Sequence, residues 1–279
     1  MNKKAKSAIG KSDEGKTMKI IENNRVFAFD AKNECVAEVM DGETVIFRTH
    51  DCFDNQLSEE GSCIGALNWD RINPATGPVY VQNAKAGDVL KVDILEIVLD
   101  KQGVMCALPE NGVLGSLVKE ESVKRIQVEE GKVHFNDKLV FDVTPMIGVI
   151  GVAPKDGSIN CGTPGCHGGN MDNKRIKVGA SLYFPVFHEG AIFSLGDVHA
   201  AMGDGEVMVS GVEISADVKV RLSVIKGISI ETPMLENEEL CGVIYSHEEI
   251  EKAAFHAVRI MNERVQENLG LSFNEAGML

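Results

Sequence analysis

Short apolar segments separated by turns rich in glycine and aspartate fill most of this chain, and they restrict it to a β-rich fold. Four such segments follow one another between residues 181 and 227, with the sequences SLYFPVF, AIFSLGDVH, GEVMVSGVEIS and DVKVRLSVIKG. Their close spacing is typical of antiparallel sandwiches and barrels. We therefore expect a mainly β protein with an antiparallel β-sandwich or barrel-like core.

The first half of the chain shows the same pattern. Residues 86–100 alternate between apolar and polar, which predicts a strand with one buried face. Residues 145–154 form a nearly continuous apolar run, which indicates a fully buried strand. Glu130-Gly131 and Asn136-Asp137 are turn dipeptides between strand-like segments, and each predicts a tight hairpin.

The end of the chain departs from the strand pattern. Apolar residues recur with helical spacing over residues 250–265, and Gly270 stops the run. Ser246 and Glu249 match a capping box at the start of this helix. These features predict a small α+β unit at the C-terminus.

Three regions follow from these patterns. We expect a β-rich domain over residues 18–228 and a C-terminal α+β unit, ending in a helix, over residues 229–279. Residues 1–17 are basic at first and lack an apolar stretch long enough for a signal peptide, so we expect a disordered tail. The sequence also lacks the apolar run of roughly 18 residues that a transmembrane helix needs.

Charge and cysteine content limit the partners and the compartment. The formal net charge is −14, and an acidic surface disfavours binding to nucleic acid or to an anionic membrane. The seven cysteines are odd in number and irregularly spaced, which fits reduced thiols in the cytoplasm. We expect a cytoplasmic protein that binds neither nucleic acid nor membrane.

Residues 196–206, GDVHAAMGDGE, hold the densest group of chemically active side chains. Asp197 and His199 are two residues apart in a predicted strand, so they share a face. The turn around Asp204 can bring Glu206 back toward them, before a second strand-like segment. Such a set is typical of a metal site or of acid–base catalysis.

A second polar cluster, THDCFDNQ, follows another predicted strand at residues 49–56. Strand alternation puts His50 and Asp51 on opposite faces, so at most one of them points into a shared pocket unless a bulge intervenes. A turn-forming role for Asp51 or Asp54 is the alternative.

A third cluster lies in a glycine-rich loop at residues 160–175, a kind of loop that often carries function. Its reactive residues are Cys161, Cys166, His167, Asn170 and Asp172. A structural zinc site on the cysteines would need a second cysteine pair, which the sequence does not supply. A cysteine nucleophile would need His167 as its base, and adjacent residues rarely align for that role.

Taken together, these motifs resemble the acetamidase/formamidase family. The likeness covers nearly all the chain from about Met18, and it rests on the motifs THDCFDNQ, NPATGPVYVQNAKAGDVLKVDILEI, HGGNMD and SLGDVHAAMGDGEV. By contrast, the motifs of serine esterases, HExxH metalloproteases, P-loop enzymes and dinucleotide-binding enzymes are missing from the sequence.

The resemblance implies hydrolysis of short-chain amides to a carboxylate and ammonia in the β-rich domain. It also implies a homo-oligomer, for which we expect a dimer, and a divalent metal. Mixed aspartate and histidine ligands suit Zn²⁺, whereas an all-carboxylate set would suit Ca²⁺ or Mn²⁺. The ligands carried over by motif are Asp51, Asp172 and His199, with His167 and Asp197 as alternates.

A mechanism consistent with these residues makes Glu206 the base that accepts a proton from water. The side chain of Asn170 and the backbone of Gly168-Gly169-Asn170 would donate hydrogen bonds to the oxyanion. Asp204 is a further catalytic candidate, with a purely turn-forming role as its alternative. Two other functions stay open: hydrolysis of another small C–N bond, as in a cyclic amide or a formylated amine, and binding of a small ligand without turnover.

Overall fold

The computed structural model describes residues 18–279, so the predicted tail at residues 1–17 lies outside the described residues. The first half of this range contains seven strands: β1 (Lys19–Ile21), β2 (Arg25–Val26), β3 (Ala28–Asp30), β4 (Ala37–Val39), β5 (Thr44–Thr49), β6 (Ala75–Val81) and β7 (Val89–Ala107). The second half contains β8 (Ser122–Glu129), β9 (Lys132–Asn136), β10 (Leu139–Asp142), β11 (Met146–Gly151), β12 (Ser158–Asn160), β13 (Gly168–Asn170), β14 (Ser181–Pro185), β15 (Phe193–His199), β16 (Glu213–Ile225), β17 (Met234–Glu236) and β18 (Cys241–Val243). Two helices follow, α1 (Ile250–Leu269) and α2 (Phe273–Met278).

The long strands β7 and β16 form the centre of the sheet. They pair antiparallel along most of their length, and β16 also pairs with β5 and β15. From β15 the network continues to β6 and β11, and β11 pairs with β13. The pairs β1–β5 and β4–β6 are parallel. The prediction of a mainly antiparallel β protein that ends in a small helical unit is confirmed.

The largest apolar cluster of the described residues packs against these strands. In β7 the alternating residues Leu90, Val92 and Ile94 are at most 1% exposed, as their sequence pattern predicts. Every residue of β11 is buried, so the apolar run at 145–154 is a buried strand as expected. Burying a large aliphatic side chain contributes roughly 1.5–3 kcal/mol, so this core fixes the ends of β11, β15 and β16 firmly in place.

Both predicted hairpins are present. Glu130 and Gly131 have φ angles of 51° and 74°, and they join β8 to β9 in an antiparallel pair. The turn at Asn136-Asp137 likewise joins β9 to β10.

The second strand of the hairpin that contains residues 196–206 begins later than its sequence indicates. Strand β16 starts at Glu213, and the apolar residues Val207, Met208 and Val209 lie in the connection rather than in a strand. The backbone of Leu114 donates a hydrogen bond to the Val207 oxygen, at 3.4 Å. Contact with this other loop therefore holds the segment outside the sheet.

The predicted helix is confirmed, but its predicted cap is wrong. Helix α1 follows Glu249 without a side-chain cap and ends at Gly270, whose φ is 65°. The capping box of this region is formed instead by Ser272 and Glu275 at the start of α2. No helix within residues 18–279 has the combination of length and apolar character needed to cross a membrane.

The C-terminal unit is joined to the main sheet through β17, which pairs with β14. The boundary at residue 228 between two domains stays a prediction.

Candidate active site

Four carboxylates surround the imidazole of His199 at the end of β15. Its Nε2 lies 3.2 Å from Glu213 Oε2 and 3.4 Å from Asp197 Oδ1. The same nitrogen lies 3.8 Å from Asp172 Oδ1 and 3.8 Å from Glu206 Oε1. The structure thus brings together four sequence-predicted site residues and adds a fifth, Glu213.

Different local features position each carboxylate. Asp197 and Asp172 have φ angles of 52° and 40°, in the left-handed region that non-glycine residues rarely adopt. Glu206 follows the turn around Asp204, as the sequence predicts. Glu213 is the first residue of β16 and lies directly opposite His199 in the antiparallel pair.

Two glycines provide the space in which these side chains meet. A Cβ at Gly148 on β11 would lie 2.5 Å from both Asp172 Oδ1 and Asp197 Oδ2. A Cβ at Gly211 would lie 2.6 Å from His199 Nδ1. Any larger residue at either position would displace the cluster, because such distances are far inside van der Waals contact.

Burial and mutual repulsion raise the pKa of three of the carboxyl groups around His199. Burial, with repulsion from Asp197, raises the pKa of Asp172 to about 8. Burial also raises the pKa of Glu206, and that of Glu213 well above its ordinary value. Burial alone would lower the pKa of His199, but the charges of Glu213 and Asp197 raise it far above its usual range. The cluster therefore has a strong demand for positive charge.

The donor atoms of the cluster fit a divalent cation. Several of them are buried and have no hydrogen-bond partner, namely Asp172 Oδ1, Asp197 Oδ1, Glu213 Oε2 and His199 Nδ1. Oxygen and imidazole nitrogen donors of Asp172, His199 and Glu206 all lie within 4.8 Å of one another. Buried carboxylates are normally paired or coordinate a metal, and this mixed set suits Zn²⁺ among others.

Asp51 lies beside the cluster, but one of its oxygens is already used. Asp51 Oδ1 accepts hydrogen bonds from the backbone nitrogens of Phe53, at 3.0 Å, and Asn55, at 2.8 Å. This is the turn-forming role that the sequence left open. Burial raises the pKa of Asp51 to about 6, with a smaller contribution from the charge of Asp197. Its role as a ligand stays a prediction.

His167 and Asn170 take different positions in the glycine-rich loop. The ring of His167 is fully buried edge-to-face against Phe29, at 5.2 Å between centroids, and burial lowers its pKa to about 4. Neither ring nitrogen has a hydrogen-bond partner among the described residues. Asn170 is near Asp172, whose pKa its side chain lowers by hydrogen bonding. The Gly168 nitrogen already donates to the Gly165 oxygen, so it is not available for an oxyanion.

The structure places Asp204 away from the cluster. Its side chain is 93% exposed, and Oδ1 pairs with Lys174 Nζ at 2.8 Å. This ion pair lowers the pKa of Asp204. The placement favours the turn-forming alternative.

Asp54 belongs to a separate ionic cluster. Its fully buried carboxylate pairs with Arg25 Nε at 3.0 Å and His50 Nδ1 at 2.7 Å, and also with Arg71. The two arginines tie the segment that follows β5 to strand β2 and to residues 69–71.

Sequence reasoning missed Glu213 and Cys52. Glu213 lies between apolar residues in a strand-like segment, so alternation alone suggests an exposed residue. Pairing His199 with its hairpin partner would have identified it, because the two residues are opposite each other. Cys52 lies inside THDCFDNQ, and its sulfur is within 4.8 Å of carboxylate oxygens of Asp197 and Glu213.

Comparison with known proteins decides the family. The model of the Acetamidase/Formamidase family matches residues 13–161 and 158–251 of this chain. The chain belongs to this family. The resemblance carried by the sequence motifs is thereby confirmed.

The fold of this family member is shared with solved structures. A predicted acetamidase/formamidase from Thermoanaerobacter tengcongensis is 46% identical, with a TM-score of 0.91, over 94% of this chain and 88% of that one. An acetamidase from Bacillus halodurans is 42% identical, with a TM-score of 0.91, over 93% of this chain and 88% of that one.

Curated relatives of this family member are longer. Formamidase from Methylophilus methylotrophus is 22% identical over 250 residues, which cover 68% of this chain and 61% of that protein. The chain therefore spans less than two thirds of the length of the first curated relatives it matches.

Proposed function

We propose that this protein hydrolyses short-chain linear amides, of the formamide and acetamide type, to a carboxylate and ammonia. The observation that carries the proposal is the buried cluster of His199 and four carboxylates in a member of the acetamidase/formamidase family. The names of its relatives, an acetamidase and a formamidase, support the substrate class.

We propose that His199, Asp172 and Asp197 hold a divalent cation, with Zn²⁺ as the first choice. The space in front of Gly148, which Asp172 Oδ1 and Asp197 Oδ2 both face, supports this assignment. When bound, such a cation would lower the pKa of water and polarise the amide carbonyl.

Glu206 is the proposed general base. Its Oε1 lies 3.8 Å from His199 Nε2, and its side chain is 20% exposed whereas that of Glu213 is 1% exposed, so water reaches Glu206 more readily. Its carboxylate accepts a proton as the water oxygen bonds to the carbonyl carbon. The proton then passes to the nitrogen as the C–N bond breaks, and ammonia leaves.

Asn170 is the proposed oxyanion donor. Its Oδ1 is buried without a partner, and its NH₂ group lies beside Asp172 at the edge of the cluster. Its NH₂ group can turn toward the oxygen on which negative charge develops.

The test combines metal removal with a substrate panel. Ammonia release is measured with formamide, acetamide, a small lactam and a formylated amine, before and after exhaustive chelation. We expect the linear amides to react fastest, chelation to abolish turnover, and Zn²⁺ to restore it. Faster lactam or formyl-amine hydrolysis would favour the other C–N bond, and no turnover with any substrate would favour a binding protein. Full activity after verified metal removal would refute the metal-dependent mechanism.

We also propose a cytoplasmic homodimer or larger homo-oligomer. Two observations support it: the seven cysteines are free thiols, and Phe255 and Val258 on α1 are 66% and 69% exposed. Sedimentation velocity of the full chain measures the oligomeric state.

A further inference from the structure

The proposed function leaves Glu213, a buried carboxylate of the cluster, without a positive partner. Glu213 is 1% exposed, and its Oε1 accepts a hydrogen bond from the Gly211 nitrogen at 2.7 Å. Its other oxygen, Oε2, has no hydrogen-bond partner, and neither has Asp197 Oδ1. Both oxygens face His199 Nε2, at 3.2 and 3.4 Å.

One imidazole nitrogen cannot donate a hydrogen bond to all of these oxygens. In the proposed function, on which this inference rests, the Nε2 lone pair binds a cation, so Nε2 carries no proton to donate. With all four carboxyl groups around His199 ionised, a single divalent cation offsets only two of the four charges. A buried carboxylate without a compensating partner is costly, and a proton or a second cation close to Glu213 supplies the missing positive charge.

Cys52 completes a donor set at that position. It lies three residues after the end of β5 and is 7% exposed. Its sulfur and carboxylate oxygens of Asp197 and Glu213 all lie within 4.8 Å of one another. The donor atoms of Asp172, His199 and Glu206 form a separate group of the same kind.

We propose that Cys52, Asp197 and Glu213 form a second divalent-cation site next to the site of His199 and Asp172. Asp197 is shared between the two, since its Oδ1 lies 3.4 Å from His199 Nε2 and one of its carboxylate oxygens lies within 4.8 Å of the Cys52 sulfur. A donor set of one thiolate and two carboxylates selects Zn²⁺ or Co²⁺ over Ca²⁺ and Mg²⁺, which take oxygen ligands.

The simpler interpretation is that Cys52 only fills an apolar pocket. It packs in a cluster that includes Phe53, Leu57 and Leu108. Burial raises the pKa of the Cys52 thiol well above its ordinary value, so the free thiol is protonated. The two interpretations differ measurably, because a cation at this sulfur must displace the proton and form a metal–sulfur bond.

Cobalt loading of the purified full-length protein tests the second site. Metal-free protein is titrated with Co²⁺, and bound metal is counted by elemental analysis while the near-ultraviolet absorption is recorded. We expect two equivalents of Co²⁺ and a sulfur-to-cobalt charge-transfer band. Cys52→Ala should lose one equivalent and the band. Cys161→Ala is the matched control, because that thiol is also buried and its sulfur contacts the Val26 oxygen instead. Cys161→Ala should keep two equivalents of Co²⁺ and the charge-transfer band.

The wild-type measurements decide the proposal even if Cys52→Ala fails to fold. One equivalent of Co²⁺, or two without the charge-transfer band, would overturn the second site. A band that persists in folded Cys52→Ala would do the same. Amide turnover is assayed on the same samples, so the two proposals fail separately. An active one-cation protein refutes only the second site, whereas a two-cation protein without amidase activity refutes only the proposed function.

Discussion

Replacing Gly148 with alanine would add a single methyl group between two carboxylates without removing any proposed ligand. The new Cβ would lie 2.5 Å from both Asp172 Oδ1 and Asp197 Oδ2 and 3.0 Å from the Asp197 backbone oxygen. Ordinary contact requires roughly 3.5 Å, so the carboxylate oxygens must retreat by about 1 Å. The backbone itself accepts alanine, because the φ of Gly148 lies outside the positive region.

The size of the effect follows from this displacement. A misplacement of about 1 Å at a catalytic centre costs on the order of 100-fold in rate, which corresponds to about 2.7 kcal/mol of transition-state stabilisation. We therefore expect Gly148→Ala to lower kcat/KM for acetamide by about 100-fold and to weaken cation binding. The overpacking itself should cost about 1–3 kcal/mol in the free energy of unfolding.

A second glycine gives a matched control. A Cβ at Gly65 meets nothing within 4 Å, and its φ also lies outside the positive region. Gly65→Ala should keep the wild-type kcat/KM and stabilise the fold by roughly 0.4–1 kcal/mol. Wild-type kcat/KM and cation affinity in folded Gly148→Ala would show that the space in front of residue 148 is not used in catalysis.

Three further predictions address the base, the oxyanion donor and the sheet. Glu206→Gln should lower kcat by roughly 10²–10⁴-fold with bound metal unchanged. Stopped assays measure kcat, and elemental analysis measures bound metal. Glu129→Gln, at an exposed position, is the control that keeps its activity. Asn170→Ala should lower kcat by roughly 10²–10³-fold with little change in stability, and an unchanged kcat would remove this residue from the oxyanion site. Burial would raise the pKa of Asp93, but hydrogen bonds, including those from Arg221, hold it below its ordinary value. Its stabilising contribution is therefore complete above the unfolded pKa of about 3.9 and lost as pH falls below it. In urea unfolding, Asp93→Asn should have a free energy of unfolding roughly 1.5–3 kcal/mol below that of the wild type at pH 7, and this difference should shrink below pH 4. A difference that does not depend on pH would contradict a stabilising role for the Asp93 charge.

Sequence patterns predicted the parts of the fold that depend on strand periodicity and on turn residues. The alternation in β7 and the apolar run of β11 identified buried strands, because side-chain burial follows the period of a strand. The turns at Glu130-Gly131 and Asn136-Asp137 were also predicted from sequence, since such dipeptides between strand-like segments favour tight hairpins. The cap of α1 was misassigned because Ser246 matches the motif but lies before Glu249, the residue that precedes the helix.

The candidate site was likewise predicted where local patterns sufficed and missed where tertiary contacts decided. Within residues 196–206, strand alternation and one turn were enough to predict that Asp197, His199 and Glu206 meet, and the distances agree. The start of β16 was placed too early, because contact with the loop near Leu114 overrides the strand preference of Val207. Local preference is weak, and tertiary contacts of this kind routinely outweigh it.

The sequence by itself determined the β-rich class, the C-terminal helix, the family and three polar clusters. Only the tertiary structure decided which members of those clusters share one space. It placed Glu213 opposite His199, Cys52 beside Glu213, and Asp204 in solvent. The physical reason is that charge, burial and cation binding depend on distances between residues far apart in the chain, and sheet pairing fixes those distances.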